Sequence, residues 1–191
     1  MFVFDRSTAS AEPILTSQSD PRLRRTLGAE LGKATAPDIH RLSWLYWLLR
    51  TRQPRNVLVS EPVDDRALLM TAAAISTTRG ARLMLRDRPI SEQLLSSLTE
   101  AGLEWVLRRT PASIDQVHDA MVVQGGSSPD HLLGLLPRLA AGALVVVLDP
   151  GPTDSSVQRA WESLIEREPG LETLMLAPST MPVLTMIWRG H

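Results

Sequence analysis

Short apolar runs alternate with helix-patterned segments from Asn56 onward, and this alternation is the strongest constraint on the fold. The runs are rich in Val, Leu and Met and are bounded by turn residues, which is typical of strands buried on both faces. Strands are predicted at 56–60, 82–86, 104–108, 119–123 and 143–148. Helices are predicted at 64–79, 91–101, 113–118, 128–140 and 155–167. Repeated strand–helix units of this kind form a parallel, doubly wound sheet with right-handed crossovers.

The last two predicted strands, 171–177 and 183–188, have no helix between them. Because only the Pro178–Pro182 segment joins them, they must pair as an antiparallel hairpin. We therefore predict an α/β fold: a Rossmann-like three-layer sandwich with a mostly parallel, seven-stranded sheet that ends in an antiparallel hairpin.

Two helices are predicted before the sheet. Asp20 and Pro21 begin the first, and the second runs from Pro37 to about Arg50. Residues 1–19 are rich in Ser, Thr, Ala and Pro without periodicity, so we expect a flexible N-terminal arm followed by one domain over 20–191.

The second predicted helix is apolar almost all the way round and carries two tryptophans, Trp44 and Trp47. A helix of this kind must be covered on more than one side. Buried aromatic anchors are common in homodimer interfaces, so we expect a homodimer or another protein partner at Trp44 and Trp47. Packing within the chain, under the first helix and the N-terminal arm, is the alternative.

Composition excludes several classes of function. Cysteine is absent, which removes disulfides, thiolate zinc sites and cysteine nucleophiles. The net charge of −1 gives no broad basic field that would attract nucleic acid or an anionic membrane. No apolar run approaches the roughly 20 residues that span a bilayer. We expect a cytoplasmic protein, and Lys33 as the only lysine indicates the coding bias of high-G+C bacteria.

Three segments in the second half of the chain carry a family resemblance. They are the strand from Asp119 to Gly126, the helical pattern from Leu132 to Leu139, and the run from Ala141 to Asp149. With the order of the elements, they resemble the class I S-adenosylmethionine-dependent methyltransferase fold, and within it the small O-methyltransferases of the catechol and caffeoyl-CoA type. The resemblance covers residues 37–191 and implies methyl transfer from S-adenosylmethionine to a small hydroxylated substrate.

The cofactor motif of this family departs from its usual pattern here. Under the best register, its three glycines are replaced by Glu61, Val63 and Asp65, and no glycine occurs between Asn56 and Gly80. Side chains at such positions are expected to intrude on the methionine part of the cofactor, and left-handed torsions would cost about 1 kcal/mol or more per residue. Acids at the helix start also cancel its positive end. We therefore expect no cofactor.

The resemblance also implies roles for individual polar residues. Asp87 matches the acid that holds the cofactor ribose, and Glu61, Asp87 and Gln124 are the candidate cofactor-binding residues. An enzyme repurposed for another ligand would instead have an enclosed pocket lined by Glu61, Asp87, Gln124 and Asp149. The family's divalent metal is held by an Asp ending the fourth strand and an Asp-Asn pair ending the fifth. This chain has Gln124 and Asp149-Pro150 there, which leaves one strong ligand, so no metal site is expected.

His131 and Asp149 are the candidate catalytic residues. Both are expected at the carboxyl edge of the sheet, where an open α/β domain keeps its site. Either could orient or deprotonate a hydroxyl substrate. The plainer interpretation is that His131 is a solvated residue and that acids at helix starts are caps.

The sequence-based hypothesis is a methyltransferase-fold protein with a degenerate S-adenosylmethionine site, non-catalytic and acting as a dimer or partner-binding module. The alternative is a divergent S-adenosylmethionine-dependent O-methyltransferase that acts on a small hydroxylated substrate. A third possibility is an enzyme repurposed for another small-molecule ligand in the acidic edge pocket.

Overall fold

Seven strands form one sheet in the computed structural model, which describes residues 11–60, 63–86, 90–108, 117–125, 129–149, 156–176 and 183–190. In chain order they are β1 (Asn56–Ser60), β2 (Arg82–Arg86), β3 (Leu107–Arg108), β4 (His118–Gln124), β5 (Leu139–Leu148), β6 (Leu171–Leu176) and β7 (Val183–Trp188). Their spatial order is β3-β2-β1-β4-β5-β7-β6. Strands β1 to β5 pair in parallel, whereas β7 is antiparallel to both β5 and β6. The predicted sheet with its terminal hairpin is confirmed.

Helices cover both faces of this sheet. One face carries α1 (Glu12–Thr16), α2 (Pro21–Leu31), α3 (Ala36–Arg52), α4 (Asp65–Ile75) and α5 (Glu92–Glu100). The other face carries α6 (Pro129–Leu133), a 3₁₀ turn at Leu136–Arg138, and α7 (Ser156–Arg167). Successive residues of β1 enter different cores: Val57 and Val59 pack under α1–α5, and Leu58 packs under α6–α7. The predicted three-layer sandwich is thereby confirmed.

Side-chain caps fix where four of the helices begin. The caps are Asp20 before α2, Thr35 before α3, Asp64 before α4 and Ser91 before α5, and each accepts a hydrogen bond from a backbone N–H of the first turn. Each such cap stabilises its helix by about 1 kcal/mol relative to alanine. The carboxylate of Asp64, beyond the end of β1, also contacts Arg41 of α3.

Part of the segment before α2, expected as a flexible arm, packs against the domain. Residues 12–16 form α1, and Ile14 is fully buried in the core. Ser17 Oγ lies 3.0 Å from the hydroxyl of Tyr46, to which Gln18 Nε2 also donates. In the described part of this segment, one isoleucine and two polar contacts to α3 hold the chain against the domain, and the flexibility of the arm stays a prediction. Residues 1–10 lie outside the described part of the chain.

The predicted helix over 128–140 is the largest departure in secondary structure. Only α6 and the 3₁₀ turn form there, and β5 begins at Leu139, earlier than expected. Pro137 cannot donate the backbone hydrogen bond that a continuing helix requires. Leu139 instead pairs with His118, and β5 includes Gly142, which takes a φ of +85°. The predicted 104–108 strand shortens to β3. Residues 113–116 of the predicted 113–118 helix lie outside the described residues, and His118 belongs to β4 rather than to a helix.

Trp44 and Trp47 are half-buried on α3 and pack against the core within the chain. The ring of Trp47 meets Tyr46 edge-on, with centroids 5.1 Å apart and an interplanar angle of 85°. Packing inside the chain covers part of both indoles, and a partner at their exposed parts stays a prediction.

His118 at the start of β4 is expected to make the stability of the fold depend on pH. Its side chain is fully buried, and neither ring nitrogen has a hydrogen-bond partner among the described residues. Burial lowers the pKa of His118 below its ordinary 6.5; the negative charge of Asp119 opposes this shift, and the positive charge of Arg138 adds to it. His118 is therefore protonated more readily in the unfolded chain than in the folded one. The free energy of unfolding is lost as the pH falls through the pKa that His118 has in the unfolded chain.

We expect the variant His118→Leu to lose less free energy of unfolding than the wild type when pH is lowered from 7.5 to 5.5. Urea unfolding at both pH values measures the difference. An equal loss in both proteins would contradict the assignment of this pH dependence to His118.

Candidate functional site

The carboxyl ends of β1, β4 and β5 lie side by side and carry polar residues. Ser60 is in register with Val123, and Gln124 is in register with Leu148. Ser60, Gln124 and Asp149 thus stand at one edge of three neighbouring strands. This is the edge at which open α/β sheets bind ligands.

The alternation of side chains divides these residues between the two faces of the sheet. Ser60 follows Leu58 onto the α6–α7 face, where its Oγ lies 2.6 Å from His131 Nε2. Gln124 follows Val122 onto the face that α3 and α4 cover. Two separate polar groups result, and we name them the Ser60–His131 pair and the Arg41 cluster.

The Arg41 cluster consists of Arg41, Asp38, Asp64, Gln124 and Asp149. The guanidinium Nη1 donates to Asp149 Oδ2, while Nη2 lies 3.1 Å from Asp38 Oδ1 and 3.0 Å from Asp64 Oδ2. Gln124 Nε2 donates to the same Asp149 oxygen at 2.7 Å. The Arg41 side chain is only 10% exposed, so this cation lies largely out of solvent among its three carboxylates.

Local structure holds each carboxylate in place. Asp64 Oδ1 accepts from the backbone N–H of Ala67 at 2.8 Å, and Asp38 Oδ2 accepts from Thr35 Oγ1 at 2.7 Å. The hydrogen bond from Thr35 lowers the pKa of Asp38; burial opposes this, and the charge of Arg41 reinforces it. Asp149 follows β5 with a φ of +52°, a left-handed conformation that Asp tolerates better than most residues.

At two of the three positions expected to obstruct the corner between β1 and α4, Val63 and Asp65, the side chains are directed away from the edge of the sheet. Val63 is 2% exposed and packs into the core, so its side chain does not occupy the edge. Asp65 begins α4 and accepts from Ser91 Oγ at 2.5 Å, towards α5. Among the described residues other than glycine, only Gln53 and Asp149 have positive φ, so positions 63–65 need no left-handed torsion. The expected backbone strain is absent at these positions.

The structure brings some predicted site residues together and separates others. Gln124 contacts Asp149, but His131 belongs to the other polar group, and no described hydrogen bond joins His131 to Asp149. Glu61 and Asp87 lie outside the described residues.

Sequence reasoning missed Arg41, Asp38 and Ser60. An arginine three residues after Asp38 in an otherwise apolar helix face was the available signal for the cluster. A serine at the end of a valine-rich strand was the signal for the Ser60–His131 pair. No helix in the described part of the chain has both the length and the apolar character for crossing a membrane.

No protein-family model matches the sequence, and no curated protein sequence matches it. Solved structures do match. An O-methyltransferase from Bacillus cereus, solved in complex with S-adenosylhomocysteine, superposes with a TM-score of 0.60 at 17% identity, covering 94% of this chain and 97% of its own. TomG, an O-methyltransferase from Streptomyces achromogenes solved with S-adenosylmethionine, gives 0.60 at 18% identity and covers 100% of both chains. A methyltransferase from Geobacter sulfurreducens gives 0.65 at 19% identity, covering 96% and 100%.

These comparisons correct the expectation that no cofactor is involved. Structures that share this fold over nearly the whole chain were solved with S-adenosylmethionine or S-adenosylhomocysteine bound, which contradicts that expectation. The steric reason given for it also fails at Val63 and Asp65, whose side chains are directed to the core and to α5. The sheet order, the terminal hairpin and the full-length superpositions together show that the chain has the fold of the class I S-adenosylmethionine-dependent methyltransferases.

Proposed function

We propose that this protein binds S-adenosylmethionine at the carboxyl edge of its sheet and is a divergent O-methyltransferase for a small hydroxylated substrate. The observation that carries the proposal is the full-length likeness to O-methyltransferases solved with this cofactor or its product. The polar residues at the ends of β1, β4 and β5 support it, because they lie where this class of fold binds ligands.

The residues of the Arg41 cluster fit the cofactor in chemistry. Gln124 Oε1 is a buried acceptor without a hydrogen-bond partner among the described residues, and it suits an N–H or O–H donor of a ligand. The carboxylate of Asp149 suits a positively charged ligand group, because its side chain is 35% exposed and its Oδ1 accepts no hydrogen bond among the described residues. When bound, S-adenosylmethionine supplies an electrophilic methyl group on a sulfonium centre.

His131 is the residue proposed to take the proton from the substrate hydroxyl. It is exposed, and among the described residues its Nε2 contacts the Ser60 hydroxyl while no hydrogen bond engages its Nδ1, so Nδ1 is the atom proposed to accept the proton. Ser60 is 1% exposed and acts as a positioning residue that holds the ring. Asp149 is engaged by Arg41 and Gln124, so its proposed role is to bind and orient rather than to move a proton.

A second candidate is a protein that binds the cofactor without transferring a methyl group and acts through a protein partner or as a homodimer. The specific observation in its favour is that Trp44 and Trp47, both on α3, are only partly buried by the chain itself. Light scattering after size exclusion tests the dimer, which should dissociate in a Trp44→Ser, Trp47→Ser double variant.

Isothermal titration with S-adenosylhomocysteine tests the proposed function. We expect a Kd of about 1–100 μM, in the range of ordinary small-molecule binding. The variant Gln124→Leu should bind roughly 2- to 10-fold more weakly, because one hydrogen bond contributes about 0.5–1.5 kcal/mol. Gln93→Leu, the same change at an exposed position of α5, is the matched control and should bind as the wild type does.

Absence of heat with both S-adenosylmethionine and S-adenosylhomocysteine, in folded protein, would contradict the proposal. If binding is found, formation of S-adenosylhomocysteine from S-adenosylmethionine with a panel of catechols and phenols separates the two candidates. Turnover with any of them supports the enzyme, and binding without turnover supports the second candidate.

A further inference from the structure

The charged residues of the Arg41 cluster affect whether a divalent metal ion can bind at this edge of the sheet. The resemblance to the catechol type implies a divalent cation held by acids that end the fourth and fifth strands. We propose that the guanidinium of Arg41 is the resident cation of this edge and that the protein takes no divalent metal there. Removal of Arg41 would then open the same carboxylates to a metal ion.

The hydrogen bonds of the carboxylates leave few oxygens for a metal. Asp38 Oδ1 and Asp64 Oδ2 face Nη2 of Arg41, and their second oxygens accept from Thr35 Oγ1 and from the Ala67 backbone. Asp149 Oδ2 accepts from both Arg41 and Gln124. Within the described chain, only Asp149 Oδ1 of these oxygens accepts no hydrogen bond. A magnesium ion needs near-octahedral oxygen ligands, which this arrangement does not offer.

Gln124 at the end of β4 also disfavours a divalent metal ion. Its amide presents the Nε2 donor, not an oxygen, to Asp149, so the end of β4 offers a further hydrogen-bond donor where the family resemblance implies a carboxylate. The donor set therefore fits a guanidinium and does not fit a divalent metal.

Arg41 also retains a donor for a ligand. Its Nε–H is buried and has no acceptor among the described residues, although both Nη atoms are engaged. A fixed guanidinium with a remaining N–H can stabilise an acceptor group of the bound cofactor by electrostatics.

Manganese binding to Arg41→Ala tests the proposal. Without the guanidinium, Asp38, Asp64 and Asp149 are three like charges on one site, and a divalent cation relieves their repulsion. We expect the variant to bind Mn²⁺ at least about tenfold more tightly than the wild type, and its Tm to rise with added Mn²⁺. Titration calorimetry and thermal unfolding measure the two effects.

Control variants locate the new site. Arg52→Ala removes an exposed arginine from the same helix and should gain no Mn²⁺ binding. Arg41→Lys keeps a cation and should gain none either. Adding Asp149→Asn to Arg41→Ala should abolish the gain. Arg41→Gln, which preserves more side-chain volume, replaces Arg41→Ala if that variant does not fold, as judged by circular dichroism.

Either of two results would overturn the proposal. One is Mn²⁺ binding by the wild type that is as tight as that of Arg41→Ala and is lost in Asp149→Asn. The other is a folded Arg41→Ala or Arg41→Gln variant without any gain in Mn²⁺ binding. The metal test does not depend on methyl transfer. A second test, turnover that is unchanged by a chelator, rests on the proposed function. The metal-binding proposal and the proposed function can therefore fail separately.

Discussion

Replacement of His131 by glutamine is expected to lower the rate of methyl transfer by about 10²- to 10⁴-fold, the usual contribution of a general base. Glutamine can keep a hydrogen bond to Ser60, but it cannot accept a proton, so the change removes the chemistry and retains most of the geometry. The affinity for S-adenosylhomocysteine should be unchanged, because the cofactor is proposed to contact the Arg41 cluster on the other face of the sheet. Single-turnover rates and calorimetry measure the two quantities.

Ser60→Ala serves as the companion variant. It keeps the imidazole and removes only the hydroxyl that holds it, so its rate should fall by less than that of His131→Gln. A His131→Gln variant with unchanged kcat would show that another group takes the proton. A loss of cofactor affinity that equals its loss of rate would show that His131 contributes to binding instead.

Replacement of Trp161 by alanine is expected to lower the free energy of unfolding by about 3–5 kcal/mol, as for large buried aromatic residues in general. Trp161 is 1% exposed in the core under α7, and its Nε1 donates to the carbonyl of Gly125 at 3.1 Å. That is a large fraction of the roughly 5–15 kcal/mol that stabilises an ordinary domain. Because Gly125 follows Gln124, the variant should also bind S-adenosylhomocysteine more weakly. Urea unfolding and titration calorimetry measure the two effects.

Two other tryptophan variants calibrate this result. Trp105 is 47% exposed, and Trp105→Ala should change stability by no more than about 0.5 kcal/mol. Trp161→Phe retains much of the apolar volume and removes the hydrogen bond. Its loss of unfolding free energy should therefore lie between those of Trp161→Ala and Trp105→Ala. Equal losses for Trp161→Ala and Trp105→Ala would contradict the described packing of α7 on the sheet.

The fold was predictable because its signals are local. Val57, Leu58 and Val59 form an uninterrupted apolar run because each one enters a core on one face or the other of the sheet. Caps such as Asp64 and Ser91 mark the helix starts in the sequence itself. The short link between β6 and β7 allows only an antiparallel pair.

The candidate site was less predictable because its contacts are not local. Arg41 and Asp149 are 108 residues apart, and no pattern near either residue indicates the other. The family resemblance matched Val63 and Asp65 to glycine positions, but the sequence could not show where these two side chains point. One side chain enters the core and the other reaches Ser91, so replacement of glycine did not by itself predict a closed edge.

A crystal structure of the protein grown with S-adenosylhomocysteine tests the central claim most directly. The proposed function predicts the ligand at the carboxyl ends of β1 and β4, with Gln124 Oε1 accepting a hydrogen bond from it. A ligand bound elsewhere, or none at saturating concentration, would contradict the claim that this edge is the cofactor site.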